Sequence, residues 1–201
     1  MQDAFLRQQK DRVMTPIAKS AFVSISPNAI SVIAMLIGLG SVAAILTQSY
    51  WIGLVLWAMN RIMDGLDGLV ARTHQKQSDF GGYLDLFLDF IIYLSVPMAF
   101  MVVNPKTTTL WAGIFLMNSF VLNSISWTTL SALLEKRQRQ TINRLTSMEM
   151  PTGLIEGAET IVFYTLFYLF PEYVAYLFTL MAILVIFTAT QRLWWAYRYL
   201  N

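Results

Sequence analysis

Between Ser20 and Asn60 the chain carries no charged residue, and apolar runs broken by short polar clusters continue to its end. A spanning helix needs about 20 mostly apolar residues, because the hydrocarbon core of a bilayer is roughly 30 Å thick. The first run is too long for one such helix, and Thr47-Gln48-Ser49-Tyr50 divides it. The pattern predicts helices at about 29–47, 51–72, 81–103, 109–133, 152–170 and 173–195, after a leading segment 1–28. These helices take up most of the chain and leave no room for a soluble domain. The expected fold class is therefore an all-α integral membrane bundle of six transmembrane helices, with residues 1–201 forming a single membrane-embedded domain. Within the leading segment, Phe5, Leu6, Val13, Ile17 and Ala21 make a loose helical stripe among charges. An N-terminal interfacial helix on the cytoplasmic leaflet and a solvated arm account for that stripe about equally well. The segment has no apolar core followed by a small-residue cleavage site, so it does not read as a cleaved signal peptide.

Composition agrees with a membrane setting. Of 201 residues, 56% are hydrophobic and 13% charged, with mean hydropathy +0.54; soluble domains carry about a quarter of their residues as charges. The absence of cysteine excludes disulfide scaffolds, zinc-thiolate sites, iron–sulfur clusters and cysteine nucleophiles, and a single histidine excludes a His-rich metal cage. A net charge of +2 argues against a nucleic-acid partner.

Lysine and arginine placement sets the expected orientation. One side receives Arg7, Lys10, Arg12 and Lys19, then Arg61, Arg72 and Lys76, then Lys136, Arg137, Arg139 and Arg144, and finally Arg192 and Arg198; the other receives Lys106 alone. Both termini are thus expected in the cytoplasm, at a bacterial inner or plasma membrane. Tyr50, Trp51 and Trp111 then fall at the outer interface and Trp194 and Trp195 at the inner one. Small residues such as Gly38, Gly40, Ala43 and Ala44 suit helix pairing in lipid.

Candidate chemistry concentrates in the acidic residues. Five of the seven aspartates lie between Asp64 and Asp89. Positions 64, 67, 68, 71 and 72 share one face of the second helix, while Gly81, Asp85 and Asp89 step by four along the third. The connection Thr73–Phe80 makes the two helices antiparallel, so the acidic stripes can meet at the cytoplasmic end. Four carboxylates there repel one another, and each costs about 2.5–3.5 kcal/mol on the lenient insertion scale. Arg72 alone cannot neutralise them, whereas hard divalent cations such as Mg²⁺, Mn²⁺ or Ca²⁺ can. Two such ions about 3.5–4 Å apart are the arrangement that clamps both oxygens of a phosphoryl displacement. Gly68 and Ala71 keep the same face free of bulk, and Arg72 offers a planar fork to phosphate.

At these residues the sequence resembles the CDP-alcohol phosphotransferases, also called CDP-alcohol phosphatidyltransferases, whose signature is D-x2-D-G-x2-A-R-x8-G-x3-D-x3-D. Asp64, Asp67, Gly68, Ala71, Arg72, Gly81, Asp85 and Asp89 keep every position and spacing. Ser26-Pro27-Asn28-Ala29-Ile30-Ser31 is similar to the Pro-Asn-x-x-Ser/Thr opening of that family's first helix. The resemblance implies a membrane transferase of phospholipid synthesis, commonly a homodimer. In such an enzyme an acceptor hydroxyl attacks the β-phosphorus of CDP-diacylglycerol or another CDP-alcohol, and CMP leaves. By carry-over, Asp64, Asp67, Asp85 and Asp89 would hold two Mg²⁺ or Mn²⁺ ions, and Asp89 would also take the hydroxyl proton. Asp64, Gly68, Ala71 and Arg72 would line the CMP moiety, with Gly81 permitting close packing and Pro27 and Ser31 bordering the cytidine.

The acceptor is expected to be a small polar alcohol. Lys136, Arg137, Arg139, Arg144 and Arg192 are cationic candidates for a phosphate-bearing one, although the inside-positive bias explains most of them. Glu156 and Glu159 sit one turn apart at the start of the fifth helix and suit a polyol or an amine head group. Their helix's own dipole favours acids there equally well. Members that bind an inositol phosphate typically carry an arginine in that place, and this departure argues against that subclass. His74 reads as a loop residue. Two other functions fit parts of the pattern. A membrane prenyltransferase also sets metal between Asp-rich motifs, but in separate halves of a larger chain. A cation carrier would need polar groups continuing past Asp89, where the third helix offers only Tyr93 and Ser95.

Overall fold

A computed structural model describes residues 25–140 and 153–200. The segment carrying Arg7, Lys10, Arg12, Lys19 and the apolar stripe lies outside the described residues, as does Arg144. Among the described residues there are six α-helices and no strand: α1 Pro27–Leu46, α2 Tyr50–Thr73, α3 Asp79–Val103, α4 Thr107–Gln140, α5 Gly157–Leu169 and α6 Val174–Leu200, with a 3₁₀ turn at Pro171–Tyr173.

Local signals explain most boundaries. Ser26 caps α1 by accepting from Ala29 N at 3.2 Å, and Pro27 takes the first helical position, where its missing N–H costs nothing. The polar cluster after α1 contains Gln48 at φ 57°, a left-handed turn that ends one helix and starts the next. Ser78 caps α3 by accepting from Gly81 N at 3.0 Å. Two expectations shift. The fifth helix begins at Gly157 rather than near 152, because the chain from Gly153 to Glu156 is spent on a cap: Glu156 accepts from Gly153 N at 2.6 Å and Glu159 from Glu156 N at 3.1 Å. The fourth helix runs on past 133, because Glu135, Lys136 and Arg137 end the apolar run without breaking a helix.

Four helices are long and apolar enough to cross a bilayer: Pro27–Leu46, Asp79–Val103, Thr107–Arg137 and Pro171–Leu200. The remaining two differ for opposite reasons. α2 has the length, 24 residues, but carries Arg61, Asp64, Asp67 and Arg72. α5 is apolar but has 13 residues, about 20 Å at 1.5 Å per residue.

The chain divides into two compact units, one running to Lys106 with Tyr164–Glu172, the other comprising Thr107–Phe163 and Tyr173–Asn201. In the first, α1 packs along both α2 and α3, while α2 and α3 approach each other little. Close approach between helices depends on glycine at two places, Gly38 on α1 and Gly53 on α2. A Cβ on Gly38 would stand 2.7 Å from Ile92 Cδ1 and 3.0 Å from Asn60 Nδ2, and one on Gly53 2.8 Å from Tyr168. Gly38→Ala is therefore expected to destabilise by about 1–3 kcal/mol through overpacking, outweighing the roughly 1 kcal/mol Ala gains as a helix former. Gly40→Ala, facing only Leu56 Cδ1 at 3.5 Å, keeps that gain. Thermal unfolding of the two variants in one detergent checks the contrast.

The centre of this unit is aromatic: Trp57 stacks on Tyr164 and Tyr168, and Phe100 meets Tyr50, Phe167 and Tyr168. Pro97 lies inside α3 and has no N–H for the carbonyl of Tyr93 one turn back. The Tyr164 hydroxyl donates to that carbonyl at 2.5 Å and replaces the missing bond. A second buried hydroxyl pair, Ser41 and Tyr168 at 2.6 Å, is anchored by Ser41 donating to Gly53 O at 2.7 Å.

In the second unit α4 and α6 pack together. Arg137 donates to the carbonyls of Tyr199 (3.4 Å) and Leu200, closing the end of α6 where the helix dipole favours a cation. Thr188 Oγ1 accepts from Ile155 N at 2.9 Å, and the buried Arg192 donates through Nη1 to Asn123 Oδ1 at 2.6 Å. Across both units many large apolar side chains face outward, among them Trp51, Ile52, Val55, Val102, Ile183 and Phe187, a surface suited to lipid.

Candidate active site

Because α1 holds α2 and α3 without letting them close on each other, a cleft remains between their acidic stripes. One carboxylate oxygen from each of Asp64, Asp67 and Asp85 lies within 4.8 Å of the others. Asp67 is the buried member, and both its oxygens are engaged: the Ser31 hydroxyl donates to Oδ2 at 2.6 Å, and the Gly68 N–H donates to Oδ1. Ser31 therefore orients a carboxylate, in addition to bordering the cavity where the sequence reading placed it.

That cavity has a volume of about 170 Å³. Its walls include Pro27 and Ser31 from α1, Asp67, Gly68, Ala71 and Arg72 from α2, and Gly81 and Asp85 from α3. Eight of the expected site residues thus surround one space. Gly68 and Ala71 present no bulk to it. Gly81 leaves room where α3 begins: a Cβ there would crowd Ser78 Oγ at 3.0 Å and Asn28 Oδ1 at 3.1 Å. Asn28, from the helix-opening motif, Lys76 and Ser78 line the same cavity, and none of them was expected as a site residue.

Asp89 stands one turn further along α3 and has a different neighbour. Arg61 Nη2 donates to Asp89 Oδ1 at 2.8 Å, and Arg61 Nη1 lies 3.5 Å from Asp64 Oδ2. The same guanidinium donates through Nη1 to the Tyr93 hydroxyl and through Nε to Asn60 Oδ1, each at 2.8 Å. Its Cζ stands 4.9 Å from the Trp57 ring centre and 5.1 Å from that of Tyr93. In sequence Arg61 was one more inside-facing cation; its pairing across 28 positions left no local signal.

The electrostatics are lopsided. Four carboxylates share this region with one buried guanidinium, and removing like charges from water is costly unless counter-charges accompany them. Three convergent carboxylates form a hard-oxygen donor set of the kind Mg²⁺ and Mn²⁺ prefer. The residues fit a divalent cation.

Of the acceptor candidates, Glu156, Glu159, Arg192 and Lys136 lie in the second unit. Glu156 and Glu159 serve the α5 cap, Arg192 is held by Asn123, and Lys136 is near the end of α4.

Residues 24–195 match the CDP-alcohol phosphatidyltransferase family. The chain is 33% identical over 174 residues to the inner membrane protein YnjF of Escherichia coli, covering 86% of this chain and 84% of that one. It is 35% identical over 69 residues to the archaetidylinositol phosphate synthase of Pyrococcus horikoshii, covering 34% of this chain and 37% of that protein. Among solved structures, the phosphatidylinositol phosphate synthase of Mycobacterium tuberculosis (PgsA1), determined with CDP-DAG bound, has the same fold, with a TM-score of 0.68 at 19% identity over 90% of this chain and 92% of that one.

Proposed function

The chain belongs to the CDP-alcohol phosphatidyltransferase family, and on that premise we propose that it moves a phosphatidyl group from CDP-diacylglycerol, or a similar CDP-alcohol, to the hydroxyl of a small polar alcohol, releasing CMP. The observation that carries this reading is the convergence of Asp64, Asp67 and Asp85 beside a cavity walled by Gly68 and Ala71. The family match runs through both compact units, which supports treating the chain as one transferase domain.

In this reading Asp64, Asp67 and Asp85 would hold the first of two Mg²⁺ or Mn²⁺ ions, and Asp89 would reach the second. When bound, such ions neutralise the pyrophosphate and stabilise the departing CMP. The remaining work falls to side chains. Gly68 and Ala71 let the nucleotide approach the α2 backbone, and Arg72 pairs with a phosphate oxygen. Pro27, Ser31 and Gly81 border the same space. Asp89 accepts the proton of the attacking hydroxyl; its oxygen bonds to the β-phosphorus as the bond from that phosphorus to CMP breaks, and CMP keeps the bonding pair. Arg61, on Oδ1, fixes the orientation of the Asp89 carboxylate.

Glu156, Glu159, Lys136, Arg144 and Arg192 remain the candidates for acceptor recognition. The whole belongs to a homodimeric, multi-pass membrane protein of six helices, four of them long and apolar enough to span, with the active site and both termini on the cytoplasmic side.

Purified protein supplied with CDP-diacylglycerol and Mg²⁺ or Mn²⁺ is expected to release CMP with one member of a panel comprising serine, choline, ethanolamine, glycerol 3-phosphate, inositol and inositol phosphate. Chelation by EDTA should abolish the release, and re-addition of the metal should restore it. Failure of every acceptor, or release of pyrophosphate from a prenyl diphosphate instead, would sink the proposal.

A further inference from the structure

Arg61 is more constrained than a surface cation. Its side chain is 7% exposed, and its three nitrogens reach Asn60, Tyr93 and Asp89 at 2.8 Å each. The guanidinium also packs against the tilted rings of Trp57 and Tyr93, its Cζ 4.9 Å and 5.1 Å from their centres, and Asn60 is itself tied to α1 by donating to Ala34 O at 2.8 Å. This pre-organised fork presents its fixed positive charge most closely to Asp89, at 2.8 Å, the one carboxylate of the four outside the convergent set, and less closely to Asp64, at 3.5 Å.

A void of about 10 Å³ adjoins the same place, bounded among others by Asp64, Asp85, Asp89, Asn60 and Ser31. That is the volume of about one water-sized sphere. Three carboxylates border it, yet the Asp89 oxygen nearest Arg61 is already committed, and the adjacent guanidinium repels a second cation.

We propose that Arg61 is a resident counter-cation that withholds Asp89 from divalent ions, so that the nucleotide-free site takes one ion at Asp64, Asp67 and Asp85 and opens a second place, in the void beside Asp89, only where the guanidinium gives way. This rests on the metal-dependent reading above and adds an order of filling to it. Removing the charge releases the Asp89 oxygen and makes the cluster more negative by one, and both changes favour a second ion.

The test is a Mn²⁺ titration of EDTA-treated full-length protein in lipid nanodiscs, at fixed pH and without nucleotide, reading free Mn²⁺ by electron paramagnetic resonance. Wild type is expected to bind one equivalent per chain and Arg61→Gln two, with the spectrum of a spin-coupled Mn²⁺ pair. Arg61→Gln with Asp89→Asn should return to one. Two equivalents with pair coupling in wild type would overturn the inference, whatever the variant does. So would a folded Arg61→Gln, verified by circular dichroism, that stays at one. No Mn²⁺ binding in either protein would instead remove the metal reading itself, and the inference with it.

Discussion

Asp89→Asn is expected to lower CMP release by about 10²–10⁴-fold, the usual contribution of a positioned general base, while the first equivalent of Mn²⁺ still binds. The split separates Asp89 from the ligands of the first ion, because it lies outside the three-carboxylate set formed by Asp64, Asp67 and Asp85. Asparagine retains an oxygen to accept from Arg61, which limits the structural damage of leaving a buried guanidinium without its partner. Single-turnover CMP release beside the Mn²⁺ titration checks it. Near-normal turnover with metal bound would remove Asp89 from proton transfer, and loss of the first ion would make it a primary ligand.

Asp67→Asn is expected to act earlier, by preventing the site from loading. The change removes a negative charge from the donor set. It also brings an NH₂ group against either the Ser31 hydroxyl or the Gly68 N–H, both of which donate to Asp67. Ser31→Ala leaves the charge and removes one orienting bond, a change of the kind that costs about 10–100-fold in metal affinity. Asp67→Asn should exceed the roughly 100-fold upper end of that range and abolish CMP release at ordinary Mg²⁺. Calorimetric Mn²⁺ affinities for the two variants, with unfolding midpoints as controls, give the comparison. An Asp67→Asn protein that binds Mn²⁺ like wild type would refute the assignment.

What the sequence made legible follows from the range of each interaction. The limits of α1, α2 and α3 were readable within a few residues, because Ser26-Pro27, the Gln48 turn and Ser78 are local signals. The motif residues were readable because helical periodicity puts Asp64, Asp67, Gly68, Ala71 and Arg72 on one face. Boundaries failed where hydropathy and helix formation part company: α4 continues through charged helix formers, and α5 starts late because its first acids are occupied in capping. Contacts between distant positions were invisible. Ser31 meets Asp67 across 36 positions and Arg61 meets Asp89 across 28; the helix-opening motif marks Ser31 but not its partner, and nothing near Arg61 distinguishes it from a routine inside-facing cation. The cleft itself was also hidden, since the close packing of α1 against both α2 and α3, rather than of α2 against α3, is a property of three helices together.

The hydroxyl of Tyr164 that completes the bond missing beneath Pro97 ties together two positions separated by much of the chain. Their fates under mutation are coupled. Phenylalanine at 164 strands a half-buried acceptor while proline remains at 97, yet becomes nearly harmless once any residue with an amide proton stands there. Reversing the order, a replacement of Pro97 lets that amide proton join the phenol on one carbonyl, whose two lone pairs accept both. Drift along a lineage therefore has a permissive route and an obstructed one between the same two endpoints, and the history of this pair depends on which substitution comes first.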